Sequence, residues 1–382
     1  MDRGKLYDAA VIGGGPAGSM AAFELSKKGF NVCIIEKKSF PRETLCGEFI
    51  SREVTQALGS LGLMKTFLKL CPNPIHKFKL VFSNRKTLEA GLTFTAFGLS
   101  RSVFDSFILK QARKEGAVVL QPAEVKEIRR LREGYTLTVQ KDERQIILQA
   151  KNVIAAYGRQ TALDRKLNRE FAAIKSHMNG VKLHVPEKYT PGFPKDEIHI
   201  YTGEGIYCGI NRVDEGKVTI CFLEDRTTFE AAPKMHLKFL IDNNWSLREI
   251  FSPEIFDVID SSPIYGTGNI YFGKRNLVEN GIFMAGDAAG VIAPLAGDGI
   301  AMAFQSGRLA AETLEKKLQN KLNTAEAEAF YSNEYKHLFS TRLRNAMFIQ
   351  QALLNPDLAY PAFALSKVFP GLLRYLINST RG

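Results

Sequence analysis

The chain has 382 residues, more than one compact core needs, so two intertwined domains are expected. Hydrophobic residues make up 45% and charged residues 24%, a globular balance, and no apolar run is long enough to cross a bilayer. The net charge of +11 suits a basic enzyme without special partners, an anionic substrate, an acidic carrier protein or an anionic membrane surface. Nucleic acid is set aside, because the chain has no zinc-finger spacing, no aromatic RNP-type strand and no concentrated basic stretch.

The N-terminal apolar stretch is short and breaks into glycines, so no signal peptide is expected. Tyr7–Ile12 reads as a strand, Gly13–Gly18 (GGGPAG) as a turn, and residues 19–29 as a helix. Residues 30–35 (FNVCII) form a second strand that ends at Glu36. This strand–turn–helix–strand–acid order within about 30 residues is what a dinucleotide-binding unit needs. Gly13 permits the tight turn, Gly15 lets a diphosphate approach the backbone, and Gly18 lets the helix pack on the strand. The helix N-terminus offers N–H groups to phosphate, and Glu36 offers a carboxylate to ribose hydroxyls. The acid favours an unphosphorylated ribose, hence NAD or FAD before NADP.

Residues 100–125 read as helix then strand, with Phe104, Phe107, Ile108 and Ala112 on one helical face. Residues 152–158 (NVIAAYG) read as a buried strand ending in glycine. Residues 281–290 (GIFMAGDAAG) are another, ending at Asp287, and a helix with many small residues starts near Gly297–Gly299. A carboxylate at the carboxyl end of a parallel strand points into the ligand crevice, so Asp287 is placed to hold sugar hydroxyls. Two glycine turns far apart in sequence thus read as two halves of one site for a long cofactor. Between these pieces, residues 75–90, 180–185, 196–212 and 216–225 alternate like antiparallel strands, with a hairpin at Gly203–Gly205. Residues 226–260 read as helical.

Taken together, DAAVIGGGPAG with CIIEK, the R-x-x-F-D of residues 101–105 and the GDAAG…P-x-x-GDGI of the late turn resemble the FAD-dependent enzymes typified by geranylgeranyl reductases and the group A flavin monooxygenases. The flavin-dependent halogenases are a further branch. The resemblance implies an α/β fold: an FAD-binding doubly wound parallel sheet, a glutathione-reductase-like Rossmann variant, with an inserted antiparallel-sheet substrate domain and a helical C-terminal tail. It implies an FAD unit from 1–70, 100–165 and 265–340, a substrate unit from 71–99 and 166–264, and a C-terminal segment at 341–382. It implies FAD contacts at Gly13, Gly15, Pro16, Ala17, Gly18, Glu36, Lys37, Arg42, Cys46, Gly47, Arg101, Val125, Gly286, Asp287, Gly297, Gly299 and Ile300.

PRETLCGEFIS at 41–51 is similar to the segment of the reductase branch that carries a cysteine close to the flavin. Cys46 is thereby a candidate proton donor or flavin neighbour; a buried inert thiol is the other reading. Arg42 and Arg101 face the flavin and its phosphates, or are solvated surface arginines. Tyr207 orients the substrate, or packs within its strand. The implied reaction is reduction of a carbon–carbon double bond in an apolar isoprenoid or polyene. Hydroxylation of an aromatic ring is the alternative, and a non-catalytic redox carrier is a third reading.

The chain also departs from the pattern. Where both branches place Asp-Gly after the third strand it reads Ala156-Tyr157-Gly158-Arg159, so NAD(P)H and a reduced partner protein both stay open as electron donors. Residues 205–212 lack the tryptophan and proline of the reductase strand. Trp245, the single tryptophan, stands outside any halogenase-type Trp-x-Trp segment, which argues against that branch.

Five scattered cysteines without CxxC spacing (Cys33, Cys46, Cys71, Cys208, Cys221) argue against disulfides and zinc and for a reducing, cytoplasmic setting. His76, His177, His184, His199, His236 and His337 lack i,i+4 pairing and neighbouring carboxylate motifs, so no metal is assigned. The apolar, proline-punctuated tail reads as short helices packed on the body or as a surface peripheral to a membrane.

Overall fold

The computed structural model describes residues 6–83, 86–159, 162–294 and 297–354. The chain opens with β1 (Leu6–Ile12), α1 (Pro16–Lys27) and β2 (Val32–Ile35). After β3 (Phe49–Ile50), α2 (Arg52–Ser60) and α3 (Met64–Leu68) come the long strands β4 (Asn73–Val81) and β5 (Thr87–Gly98). Next are α4 (Arg101–Lys114), β6 (Val118–Leu120), β7 (Glu124–Arg130), β8 (Tyr135–Lys141), β9 (Arg144–Ala155) and α5 (Ala162–Lys166). Strands β10 (Met178–Pro186), β11 (Glu197–Gly203), β12 (Ile206–Arg212) and β13 (Lys217–Asp225) precede α6 (Pro233–Asn243), α7 (Trp245–Ile250) and α8 (Ile255–Ser261). The last elements are β14 (Tyr265–Thr267), β15 (Val278–Glu279), β16 (Ile282–Met284), α9 (Gly299–Leu318) and α10 (Thr324–Leu354).

Two sheets result. The first runs β15-β16-β9-β1-β2-β6, parallel from β16 to β6. Its central strands are buried along their length (Ala9–Ile12, Val32–Ile35, Val153–Ala155), the near-continuous apolar run of a sheet covered on both faces. An antiparallel meander, β7-β8-β9, extends this sheet; its residues 126–151 fall in no element assigned from sequence, although Tyr135, Leu137 and Val139 alternate with Thr136 and Thr138. The second sheet runs β14-β10-β13-β12-β11-β4-β5-β3 and is antiparallel except where β11 meets β4. One of its faces packs on α6–α8 through Leu183, Tyr201, Ile210, Leu240 and Leu247; the other faces the cavity described below.

Three features differ from the sequence-level boundaries. β3 and β14 lie in segments assigned to the FAD unit yet pair within the second sheet. α10 runs unbroken across position 340, so residues 341–354 continue a helix that begins at Thr324. The remainder of the tail, 355–382, lies outside the described residues. Among the described residues no helix is long and apolar enough to cross a membrane.

Candidate functional site

The chain leaves β1 through Gly13, whose φ of +103° is a conformation that L side chains rarely adopt. A Cβ on Gly13 would lie 2.3 Å from the Ala156 carbonyl oxygen, and one on Gly18 would lie 1.9 Å from the Gly13 oxygen. Both close approaches bring the N-terminus of α1 to the carboxyl edge of the parallel sheet. No side chain caps that helix end. A Cβ on Gly15 would instead meet only two guanidinium nitrogens, Arg42 Nη2 at 3.7 Å and Arg101 Nη2 at 4.0 Å. Open backbone, a helix N-terminus and two cations converge there, which is the composition of an anion cradle.

Asp105, fully buried on α4, holds both cations. It accepts two hydrogen bonds from Arg101, at 2.6 and 2.8 Å, and lies 3.4 Å from Arg42 Nη1. Burial works against the Arg101 charge, but the Asp105 carboxylate, helped by the Cys46 sulfur, more than offsets it and keeps the guanidinium charged. Glu36 closes β2: one carboxylate oxygen accepts the Gly14 N–H at 2.7 Å and the other the Lys38 N–H at 2.9 Å.

The late turn meets the first one directly. Gly286 (φ +62°) places its Cα so that a Cβ would be 3.0 Å from that of Ala17, and Gly307 of α9 lies against the Ala17 carbonyl. The Gly286 N–H donates to Ser306 Oγ at 2.9 Å, which fixes the turn on α9. Asp287 follows; its Oδ2 accepts from Arg159 Nε at 2.9 Å, and its carbonyl accepts from Arg275 at 2.9 Å. Arg159 also donates to the Leu45 carbonyl at 3.1 Å. Arg159, two residues past the position where an aspartate was expected, thus joins the end of β9, the late turn and the Cys46 loop.

These parts enclose one cavity of about 650 Å³ that runs between the two sheets. Every cofactor or substrate residue predicted from sequence lines it except Gly18 and Val125. Gly18 packs under the turn. Val125 is a buried β7 residue paired with Val139 whose side chain packs in the core, so a cofactor contact there would be made by its backbone. Cys46 is part-buried at the cavity wall, where its Sγ accepts the Glu48 N–H at 3.3 Å. Tyr207, on β12, packs with Leu45, Cys221, Leu223, Ile270 and Val291 at the apolar end, and its hydroxyl donates to Gln350 of α10 at 3.4 Å.

Sequence reasoning missed a buried polar cluster beside Cys46. Glu48, with no exposed surface, accepts hydrogen bonds from Lys182 (2.6 Å), the Arg101 N–H (2.8 Å), His184 Nε2 (2.5 Å) and Thr219 Oγ1 (2.5 Å). Lys182 also reaches Glu43 at 2.5 Å. Burial alone would raise the Glu48 carboxyl; the His184 hydrogen bond and the Lys182 charge outweigh it and lower it to about 2. Burial likewise opposes the Lys182 charge, and Glu48 and Glu43 raise the ammonium above its usual value.

In space three of the histidines meet carboxylates. His184 meets Glu48, His199 meets Glu197 at 2.7 Å and His236 meets Glu224 at 2.9 Å. Glu43, Glu48 and His184 stand close enough to share a cation, but the Lys182 ammonium already sits between the two carboxylates. The one available signal was that Lys182 and His184 alternate with apolar Val181, Leu183 and Val185.

A family model described as an FAD binding domain matches residues 6–337. The chain belongs to that FAD-binding family. It is 27% identical over 378 residues to the digeranylgeranylglycerophospholipid reductase of Methanococcus vannielii, covering 93% of this chain and 85% of that one. Its fold is similar to that of a geranylgeranyl bacteriochlorophyll reductase-like protein from Thermoplasma acidophilum, with a TM-score of 0.75 at 20% identity over 92% of this chain and 88% of that one. A triple mutant of the flavin-dependent brominase Bmp2 shares it as well, with a TM-score of 0.77 at 19% identity over 98% and 95% of the two chains.

FAD is therefore the cofactor and the protein is an FAD-dependent oxidoreductase. The residues present fit the group: the Gly15 cradle with Arg42 and Arg101 suits a diphosphate, and Glu36 and Asp287 line the same cavity with carboxylates of the kind that suit sugar hydroxyls.

Proposed function

We propose that this flavoenzyme reduces carbon–carbon double bonds in an apolar small molecule of isoprenoid or polyene type, with Cys46 as the proton-bearing catalytic residue. The observation that carries the reading is the place of Cys46: it lines the cavity where the polar cofactor cradle gives way to the apolar wall of Tyr207, Leu223 and Val291. The reductase relative from Methanococcus supports it.

Bound FAD, in its reduced form, would supply the hydride. The chain's residues do the rest. Gly13, Gly15, Pro16, Ala17 and the α1 N-terminus would hold the diphosphate with Arg42 and Arg101, while Glu36 and Asp287 would hold sugar hydroxyls. The apolar wall positions the alkene and excludes water. As one alkene carbon gains the hydride, Cys46 Sγ–H gives its proton to the other, two C–H bonds replace the π bond, and solvent returns the proton to sulfur.

The first test incubates chemically reduced enzyme with polyprenyl diphosphates, quinones and alkylated phenols, with and without oxygen, and analyses products by mass spectrometry. A gain of hydrogen pairs without oxygen supports the reductase; a gain of one oxygen atom, in air only, replaces it with a monooxygenase. In a reductase, Cys46→Ser lowers kcat by about 100-fold, in the range of general-acid contributions, with FAD affinity unchanged. An apolar substrate would be met at a lipid surface, and the +11 charge favours an anionic one in the cytoplasm. Co-sedimentation with anionic but not neutral vesicles is the expected outcome; an acidic carrier protein is the other source of substrate the charge would suit.

A further inference from the structure

We propose that Glu48 is a positioning residue that fixes the Cys46 thiol and the start of α4 against the flavin by anchoring both to the antiparallel sheet. The inference deepens the reading of Cys46 above and rests on it for its functional meaning.

Glu48 is two residues from Cys46 and touches both halves of the molecule. Its own N–H donates to Cys46 Sγ at 3.3 Å. Its carbonyl accepts the Leu99 N–H at 3.1 Å, and the next residue, Phe49, pairs with Gly98 in β5. Its carboxylate accepts the backbone N–H of Arg101, the first residue of α4, where a negative charge also meets the positive end of the helix dipole. That same helix carries Arg101 and Asp105, the pair that builds the anion cradle.

From the substrate side, Lys182 and His184 project from one face of β10, and Thr219 stands opposite His184 on β13. All three hydrogen-bond the same carboxylate. The residue pays conformationally for this place: its φ is +58°, and a non-glycine residue holds such a backbone only where surroundings over-determine it. A carboxyl lowered to about 2 is an anion throughout the working pH range, so Glu48 is a fixed charge and not a proton carrier.

The test uses the FAD-loaded enzyme and readouts other than turnover. Iodoacetamide alkylation of Cys46 is followed by peptide mass spectrometry, with exposed Cys71 as the internal reference; visible circular dichroism reports the flavin environment. In Glu48→Gln the Cys46:Cys71 rate ratio rises about fivefold or more, because the loop gains access and the sulfur loses a neighbouring anion, and the flavin dichroism changes. In Glu48→Gln/Lys182→Met the charge balance is restored, so melting temperature recovers while the ratio and the dichroism stay altered.

A wild-type ratio and dichroism in Glu48→Gln overturns the proposal. So does a double variant in which both return with the melting temperature, since that is the behaviour of a merely structural charge. Should Glu48→Gln not fold, Thr219→Val removes one of the carboxylate's four donors: a ratio raised about twofold supports the proposal and an unchanged ratio overturns it. Full turnover in Cys46→Ser would remove the proton-donor reading of Cys46 and leave the alkylation result to decide Glu48 alone.

Discussion

The Gly13–Gly18 end of the cavity and the Glu48–Tyr207 end are built by different means. At the first, backbone does the work: three glycine positions, an uncapped helix N-terminus and carbonyls in close approach, with Arg42 and Arg101 added by Asp105. At the second, side chains from β10, β12, β13 and α10 meet those of the Cys46 loop, and no single segment holds them all. A backbone site is written in contiguous sequence and tolerates little substitution. A side-chain site is assembled over more than a hundred residues and can change its specificity one contact at a time.

The largest test of this contrast is Gly18→Ala. Its Cβ would stand 1.9 Å from the Gly13 oxygen, so α1 must move and the cradle opens. FAD should be lost on gel filtration, with affinity down on the order of 100-fold, about 3 kcal/mol.

Next is the acid limb of stability, which belongs to the side-chain end. The Glu48 carboxyl is lowered from 4.5 to about 2 on folding. A depressed carboxyl contributes stability that is present above its unfolded value and is lost as pH falls through the folded one. The contribution, on the order of 3 kcal/mol, should therefore fade between about pH 4.5 and 2. Urea unfolding of Glu48→Gln should start from a lower stability at pH 7 and show a flatter decline over that window. An equally steep decline would mean that other carboxylates carry it.

Asp105→Asn tests how far the backbone end depends on charge. It frees two guanidiniums without altering the glycine turn, and FAD affinity should fall about tenfold, about 1.4 kcal/mol. A fall as large as that of Gly18→Ala would erase the distinction drawn here. The smallest effect is expected from Tyr207→Phe. Its hydroxyl makes a long, 3.4 Å hydrogen bond to Gln350, worth about 0.5 kcal/mol, so substrate KM should change only two- to threefold, with FAD binding and kcat unchanged.

The same contrast decides what could be read from sequence. The two glycine turns, Glu36, Asp287 and the strands that carry them were legible because close backbone approach demands glycine at fixed spacing and buried parallel strands demand apolar runs. Cys46 and Tyr207 were legible as candidates only through the resemblance of their segments to a known family. The β7–β9 meander was not assigned from sequence, although Tyr135, Leu137 and Val139 alternate with Thr136 and Thr138, because a period-two pattern alone does not say which sheet a strand joins.

By itself the sequence determined that two remote turns, Gly13–Gly18 and Gly286–Gly299, end parallel strands, and that a second, alternating set of strands accompanies them. Tertiary structure alone decided that Ala17 touches Gly286 and Gly307, so that both turns serve one cavity. It alone decided that Arg159 reaches Asp287 and that Glu48 meets Lys182 and His184. On a strand, Lys182 and His184 read as a solvent face, because alternation tells which residues share a face and not what covers it. Here a loop carrying a carboxylate covers that face, and a charge that alternation would assign to water is instead balanced inside the protein.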